Sequence, residues 1–205
     1  MQNDLQARRE YLWTTGQNIL LNSPQDRVSV DIETNGRLGR GSIVDWGAVS
    51  TYGESLSVLL KPVPEFGFTE ANRAFCEEHG YTEDYLMREG VHWYEGVHRI
   101  AEWTAYLRQR HGKPLVLTAF NNQFDGGFTE SYFARLDMEN PFGFDSFDIK
   151  SLADKLSPNF DWVQTQKINL PREIVPARPM THTALEDARD QQLIYFGLVA
   201  LLQGY

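Results

Sequence analysis

The sequence predicts an α/β domain with a mixed β-sheet of about five strands, a three-strand antiparallel meander followed by parallel strands, flanked by helices. Three observations support this prediction. Three strand-like apolar segments follow one another in the first third of the chain, strand and helix patterns alternate after them, and a long apolar helix closes the sequence. A hydrophobic fraction of 41% and a charged fraction of 23% over 205 residues are typical of one soluble domain.

The meander follows an amphipathic leading helix. Residues 5–21 have helical periodicity, which ends at the turn-forming NSP. Strands are predicted at 27–33, 42–51 and 55–63. Only YGE separates the second strand from the third, and a link this short predicts a hairpin.

Strand and helix patterns alternate in the rest of the chain. The apolar run PLVLTAF (114–120) lies between two helical segments, so we expect a strand parallel to its neighbour. Helices are predicted at roughly 69–88, 96–110, 126–137 and 184–203, and a short strand with a helix at 142–156.

One long stretch, residues 157–181, has little periodicity and several prolines. A loop of this length inside a compact domain is usually a lid or a binding segment, and the alternative is disorder. We favour the functional interpretation.

Charge and composition restrict the function. A net charge of −9 argues against coating duplex DNA, which requires a basic face, but it allows an enzyme that holds a few nucleotides. The start of the chain has no signal-peptide core, and the longest apolar run (193–202) is too short to span a bilayer. With a single cysteine, Cys76, no internal disulfide can form. We therefore expect a soluble, cytoplasmic protein that has no contact with a membrane.

Two carboxylates lie on the first predicted strand. Apolar and polar residues alternate in VSVDIETNG (28–36), so Asp31 and Glu33 point to the same side, near the strand end. Burying unpaired negative charge is costly, so a positive partner is expected there. A polar, solvated strand face is the alternative interpretation.

The second group is AFNNQFDGGF (119–128). A buried strand leads into Asn121, Asn122 and Asp125, and a helix is predicted to begin near Phe124. Asp125 could also be an acidic residue that only complements a helix start.

The third group is THTALEDARDQ (181–191). Thr183 and Glu186 have the spacing of a capping box, which predicts that the last helix begins at Thr183. His182 then lies just outside the helix and Asp187 lies on its first turn, so both side chains can face one cavity. A surface histidine and an acid at a helix start are the alternatives.

Together DIETNG, NNQFD and HTALEDA resemble, in order, the three sequence blocks of the DEDDh 3′–5′ exonucleases, a DnaQ-like family with an RNase H-like fold. The resemblance implies one exonuclease domain over 1–205, with a leading helix at 1–24 and the DEDDh core at 28–203. Two positions depart from the family pattern. Asn35 stands where many members have a second threonine, and Phe120 stands where many have histidine.

The resemblance also implies the chemistry. Two divalent ions, Mg²⁺ or Mn²⁺, would share Asp31, with Glu33 and Asp187 on the first ion and Asp125 supporting the second. His182 would be the general base that takes a proton from the attacking water. Zinc is not expected: Cys76 and His79 form a C-x-x-H without a second ligand pair.

The implied substrate is the 3′ end of single-stranded DNA or RNA, from which nucleoside 5′-monophosphates are released. Thr34, Asn35 and Gly36 would line the pocket of the terminal nucleotide, and Asn121 and Phe124 are further candidate substrate contacts. Trp46 and Trp162 could stack on bases, but we expect them to pack in the core.

Two alternatives stay open. The substrate could be restricted to RNA ends or short oligoribonucleotides, since the three blocks do not distinguish the two polymers. The fold could also serve as a non-catalytic nucleic-acid-binding scaffold. The resemblance further allows a homodimer, for which the sequence identifies no interface.

Overall fold

The computed structural model describes residues 2–156, 161–179 and 181–205. Its elements, in chain order, are α1 (Gln2–Leu21), β1 (Asp26–Thr34), β2 (Ile43–Val49), β3 (Ser55–Leu59), α2 (Glu70–Glu78), α3 (Glu83–Glu89), α4 (Trp93–His111), β4 (Leu115–Ala119), α5 (Asn122–Ala134), β5 (Ser146–Asp148), α6 (Ile149–Asp154), a 3₁₀ turn (Lys167–Asn169) and α7 (Ala184–Leu202).

The five strands form one mixed sheet in the order β3-β2-β1-β4-β5. β1 and β2 pair antiparallel, as do β2 and β3, whereas β1 and β4, and β4 and β5, are parallel. This confirms the predicted meander followed by parallel strands. Because β1 is the central strand, its residues can be reached from both layers of helices.

The two faces of β1 have different neighbours. Val28, Val30 and Ile32 belong to a core that includes residues of α4 and α5. Alternation along the strand turns Asp31 and Glu33 to the opposite face, where α7 crosses β1 and β2. A second core joins α7 to α1 and α6 on that side.

Several predicted boundaries need correction. The helix predicted at 69–88 is two helices, α2 and α3, because Gly80 (φ +84°) ends the first and Thr82 caps the second. β3 ends at Leu59, because the ladder with β2 ends there and Leu60 forms a separate parallel bridge to Val91. α4 begins at Trp93 after His92 as N-cap.

None of the helices in the described ranges combines the length and apolar character that crossing a membrane requires.

Candidate active site

The site begins with the two carboxylates of β1. β4 pairs with β1 only over residues 26–29, so the end of β1 is free on that side. The backbone N–H of Ile32 in this free part donates to Oδ1 of Asp125 at 3.1 Å. The first turn of α5 therefore carries a buried carboxylate to the same strand that carries Asp31 and Glu33.

The start of α5 is fixed by a neighbouring acid. Asp148 accepts hydrogen bonds from the backbone N–H groups of Asn121 (2.9 Å) and Asn122 (3.3 Å). The helix begins at Asn122, two residues before the predicted start, and Asn121 precedes it in the left-handed region (φ 73°). This geometry turns Asp125 towards β1.

Gly47 of β2 brings the start of α7 onto the sheet. A Cβ atom at Gly47 would lie 2.1 Å from the backbone nitrogen of Leu185 and 2.3 Å from the carbonyl carbon of Ala184. Gly47 is also the register partner of Asp31 on β1. The close approach therefore brings the chain around Ala184 next to the carboxylates of β1.

The turn before α7 is organised by Asp187. Its carboxylate accepts hydrogen bonds from the backbone N–H of His182 (3.0 Å) and of Thr181 (3.2 Å). These bonds hold His182 in the left-handed region (φ 52°), an uncommon conformation for a residue with a side chain. The hydrogen bonds therefore fix the backbone of His182 relative to the carboxylate of Asp187.

The predicted capping box does not form, although α7 does begin directly after Thr183. The Thr183 side chain makes no capping hydrogen bond. Glu186 pairs instead with Arg178 and Arg189, and Arg178 also contacts Asp190 at 2.8 Å. These ion pairs connect the chain before His182 to the body of α7.

Asp45 and Tyr81 also hold the turn before α7, and no sequence pattern marks either residue. Asp45 is the register partner of Glu33, and its Oδ2 accepts from the backbone N–H of Ala184 at 3.2 Å. The Tyr81 hydroxyl donates to the same Oδ2 at 2.7 Å and lies 3.1 Å from the carbonyl oxygen of His182. Asp45 therefore takes the capping role predicted for Thr183.

Three of the predicted residues converge closely enough to hold one metal ion. Glu33, His182 and Asp187 each offer a ligand atom, and these atoms lie within 4.8 Å of one another. Nδ1 of His182 is 3.9 Å from Oε1 of Glu33. In the described ranges no other group of three acidic, histidine or cysteine side chains meets this condition, and Cys76 is buried with Sγ near the carbonyl of Thr34.

Electrostatics link Asp31 and Asp125 to this group. Burial, opposed by the charge of Lys167 and reinforced by that of Asp187, raises the pKa of Asp31 to about 7. Burial raises the pKa of Glu33 to about 8, reinforced by Asp31, and burial with the Asp31 charge raises the pKa of Asp125 well above its usual range. Buried carboxylates that repel one another in this way form a site suited to hard divalent cations.

Aromatic rings surround His182 on its outer side. The rings of His79 and His182 meet edge to face with centroids 4.2 Å apart, and Phe75 contacts His182 in the same manner at 5.4 Å. Both neighbours come from the end of α2. These contacts restrict the rotation of the imidazole.

The predicted substrate residues of the first block are buried. Thr34 donates to the carbonyl of Gly36, and a Cβ atom at Gly36 would meet Gly41 at 2.8 Å. Asn35 has no exposed surface: Oδ1 accepts from the N–H of Ser42 and Nδ2 donates to the carbonyl of Phe66. The substrate contact predicted for Asn35 therefore has no exposed atom to make it, and this side chain shapes the loop instead.

Two candidate substrate contacts outside that block, Phe124 and Asn121, line a surface that a substrate can reach. Phe124 is 38% exposed, and it lines an open depression beside the site together with Asn121 and Leu38. Trp46 is fully buried, as predicted. Trp162 is not a core residue: it is 42% exposed, and Nζ of Lys150 lies 4.5 Å from its ring centroid.

The positive partner expected for the strand carboxylates is Lys167, which sequence reasoning did not single out. Its Nζ lies 4.0 Å from Oδ1 of Asp31, and both side chains are only 18% exposed. Lys167 comes from the long aperiodic stretch, where spacing provides no signal for an ion pair with a distant strand.

Comparison with known sequences finds one informative relative. The 3′–5′ DNA exonuclease Cap18 of Escherichia coli is 30% identical over 171 residues, which are 82% of this chain and 88% of the relative. No protein-family model matches the sequence.

Solved structures of low sequence identity share the fold. The nuclease domain of 3′hExo, a DEDDh family member bound to rAMP, matches 88% of this chain and 93% of its own with a TM-score of 0.61 at 12% identity. A 3′-exonuclease that recognises the 3′ end of the histone mRNA stem-loop matches 98% of this chain and 74% of its own with a TM-score of 0.66, also at 12% identity. The sequence relative and the structural neighbours are all 3′ exonucleases. The chain therefore belongs to the DEDDh family of 3′–5′ exonucleases, which are hydrolases that degrade nucleic acids.

Proposed function

We propose that this exonuclease removes nucleotides from the 3′ end of single-stranded DNA and releases nucleoside 5′-monophosphates. The observation that carries the proposal is the convergence of four carboxylates and one imidazole on one end of β1. The residues are Asp31, Glu33, Asp125, His182 and Asp187.

The four carboxylates would hold two divalent ions. DEDDh exonucleases use divalent metals, and oxygen donors without thiolates fit Mg²⁺ or Mn²⁺. Asp31 would be shared, Glu33 and Asp187 would hold the first ion, and Asp125 would support the second. Bound there, such ions would activate water and stabilise the leaving 3′-oxygen.

His182 would act as the general base. An imidazole is suited to proton transfer near neutral pH, and this one is restrained by Asp187 through the backbone and by His79 through its ring. It would take the proton of the attacking water. Because ligand atoms of His182, Glu33 and Asp187 lie within 4.8 Å of one another, the alternative role of His182 is that of a metal ligand, and a variant can distinguish the two roles.

Single-stranded DNA is favoured over RNA by the sequence relative, which is a DNA exonuclease. The competing substrate is RNA, because 3′hExo binds rAMP on the same fold. A single strand suits both the acidic chain and the exposed rings near the site, since stacking on aromatic side chains holds bases with little dependence on sequence.

The test is a gel time course on 5′-labelled DNA and RNA strands of matched sequence, with Mg²⁺, Mn²⁺ or EDTA. We expect a ladder that shortens from the 3′ end, requires metal and appears faster with DNA. A faster ladder with RNA would reassign the substrate. If folded protein produces no ladder on either polymer and binds no metal, the chain is a scaffold rather than an enzyme.

The same gel, together with a calorimetric titration with Mn²⁺, tests the role of His182 in the variant His182→Ala. A general base can be removed without loss of metal binding, so we expect Mn²⁺ affinity close to that of the wild type and a rate reduced by roughly a hundredfold or more. A large loss of Mn²⁺ affinity would instead make His182 a metal ligand.

A further inference from the structure

Lys167 is the one lysine or arginine side chain in the described ranges that approaches the predicted metal-site carboxylates within 4.0 Å. The distance from its Nζ to Oδ1 of Asp31 is 4.0 Å, which is longer than a charge-assisted hydrogen bond. The ammonium group is therefore attracted to Asp31 without being locked onto it.

The backbone of this segment is held by its own hydrogen bonds. The buried Thr165 donates through Oγ1 to Asp154 at the end of α6 (2.8 Å), and Asn169 donates through Nδ2 to the carbonyl of Gln164 (2.8 Å). Lys167 begins the 3₁₀ turn between these two anchors. Its backbone is fixed, while its four-carbon side chain can still change direction.

Lys167 also lines a cleft of about 380 Å³. Phe120, Asn121 and Ile168 line it, and Lys150 adds a second positive charge. Nζ of Lys167 is 5.9 Å from the centroid of the Phe120 ring. Lys167 therefore borders both Asp31 and a cleft whose lining includes an aromatic ring and a second lysine, which suits a nucleotide and its phosphate.

We propose that Lys167 binds the substrate backbone: its ammonium group is the counter-ion of Asp31 in the metal-free enzyme and turns to a phosphodiester in the Phe120–Ile168 cleft once divalent cations neutralise Asp31. This assignment rests on the proposed function. The turn requires only side-chain rotation, because Lys167 both lies beside Asp31 and lines the cleft.

The proposal predicts two opposite effects of one substitution. Lys167→Met retains most of the length of the side chain and removes its charge. Loss of a competing cation should raise the affinity of the free enzyme for Mn²⁺ by roughly threefold to tenfold. Loss of the phosphate contact should raise KM for single-stranded DNA by about tenfold, with a smaller change in kcat. A residue that only supports the loop would not improve metal binding.

The experiment measures Mn²⁺ binding by isothermal titration calorimetry without substrate, and steady-state hydrolysis of single-stranded DNA, for the wild type and three variants. Lys167→Met should show tighter Mn²⁺ binding and a higher KM. Lys167→Arg should restore KM. Lys150→Met is the matched control, because Lys150 lines the same cleft without contacting Asp31, and its Mn²⁺ affinity should equal that of the wild type.

The outcomes separate the two proposals. If the wild type is active and Lys167→Met matches it in Mn²⁺ affinity or in KM, the assignment of Lys167 is overturned and the proposed function stands. If the wild type binds no Mn²⁺ and hydrolyses nothing, both are overturned. A melting temperature of Lys167→Met close to that of the wild type verifies that the variant is folded.

Discussion

At the scale of single residues, local periodicity predicts which side chains within each of the three short blocks lie close together, and the resemblance to the DEDDh family is what joins the blocks into one predicted site. A strand alternates, so Asp31 and Glu33 share a face, and a helix start brings His182 and Asp187 together. The partners of these side chains could not be predicted. Tyr81 and Lys167 act across more than one hundred residues of sequence, and neither is marked by a local pattern.

Tyr81 offers a test of how His182 is held. In Tyr81→Phe the hydroxyl that bonds Asp45 and approaches the His182 carbonyl is lost, and among the residues that the structure describes Asp45 Oδ1 has no partner to compensate. We expect kcat to fall by about tenfold and stability by about 1–3 kcal/mol, while Mn²⁺ affinity is retained.

Steady-state kinetics, calorimetry and thermal melting check this prediction. Tyr85→Phe is the matched control, because Tyr85 is exposed and should leave all three quantities unchanged. A wild-type kcat for Tyr81→Phe would show that His182 keeps its position without this hydroxyl.

At the scale of elements, periodicity predicted the strands and the closing helix but not the way they approach each other. A glycine inside an apolar strand signals a close backbone approach, and Gly47 has this role under the start of α7. The predicted helix at 69–88 is two helices, because a turn that contains Gly80 and Tyr81 separates them. The helical periodicity continues across this turn, so it gave no indication of the break. Part of the loop predicted at 157–181 lies outside the described residues, namely 157–160 and 180.

Gly47→Ala tests the contact between β2 and α7. The added methyl group would lie 2.1 Å from the backbone nitrogen of Leu185, so α7 must shift away from Asp31. We expect a loss of about 1–3 kcal/mol in the free energy of unfolding and of most of the activity.

Chemical denaturation and the nuclease assay measure these two losses. Gly67→Ala is the control, because a Cβ atom there meets nothing within 4 Å. Wild-type activity in Gly47→Ala would contradict the view that the position of α7 on the sheet determines the site.

At the scale of the whole molecule, the acid cluster links stability to pH. The folded pKa values of Asp31 and Glu33 are raised to about 7 and about 8, from ordinary values of 3.8 and 4.5. The folded state therefore binds these protons more tightly than the unfolded state. Their contribution is fully present below about pH 4 and is lost as pH rises through about 7 to 8.

Melting temperatures of the metal-free protein between pH 5 and pH 8.5 check this dependence. We expect a fall of several degrees over that range, which Mn²⁺ should reduce because it binds the ionised carboxylates of the folded state. The Asp31→Asn, Glu33→Gln double variant should lose most of the slope. A flat profile for the wild type would contradict the raised pKa values.

The most direct test of the central claim compares Mn²⁺ binding and 5′-monophosphate release in the wild type and in Asp31→Asn. The wild type should bind Mn²⁺ and release 5′-monophosphates from single-stranded DNA. Asp31→Asn should fold, bind Mn²⁺ more weakly and lose activity by on the order of a thousandfold, since the shared carboxylate is gone. Near-normal hydrolysis by Asp31→Asn would contradict a catalytic centre built on the carboxylates of β1.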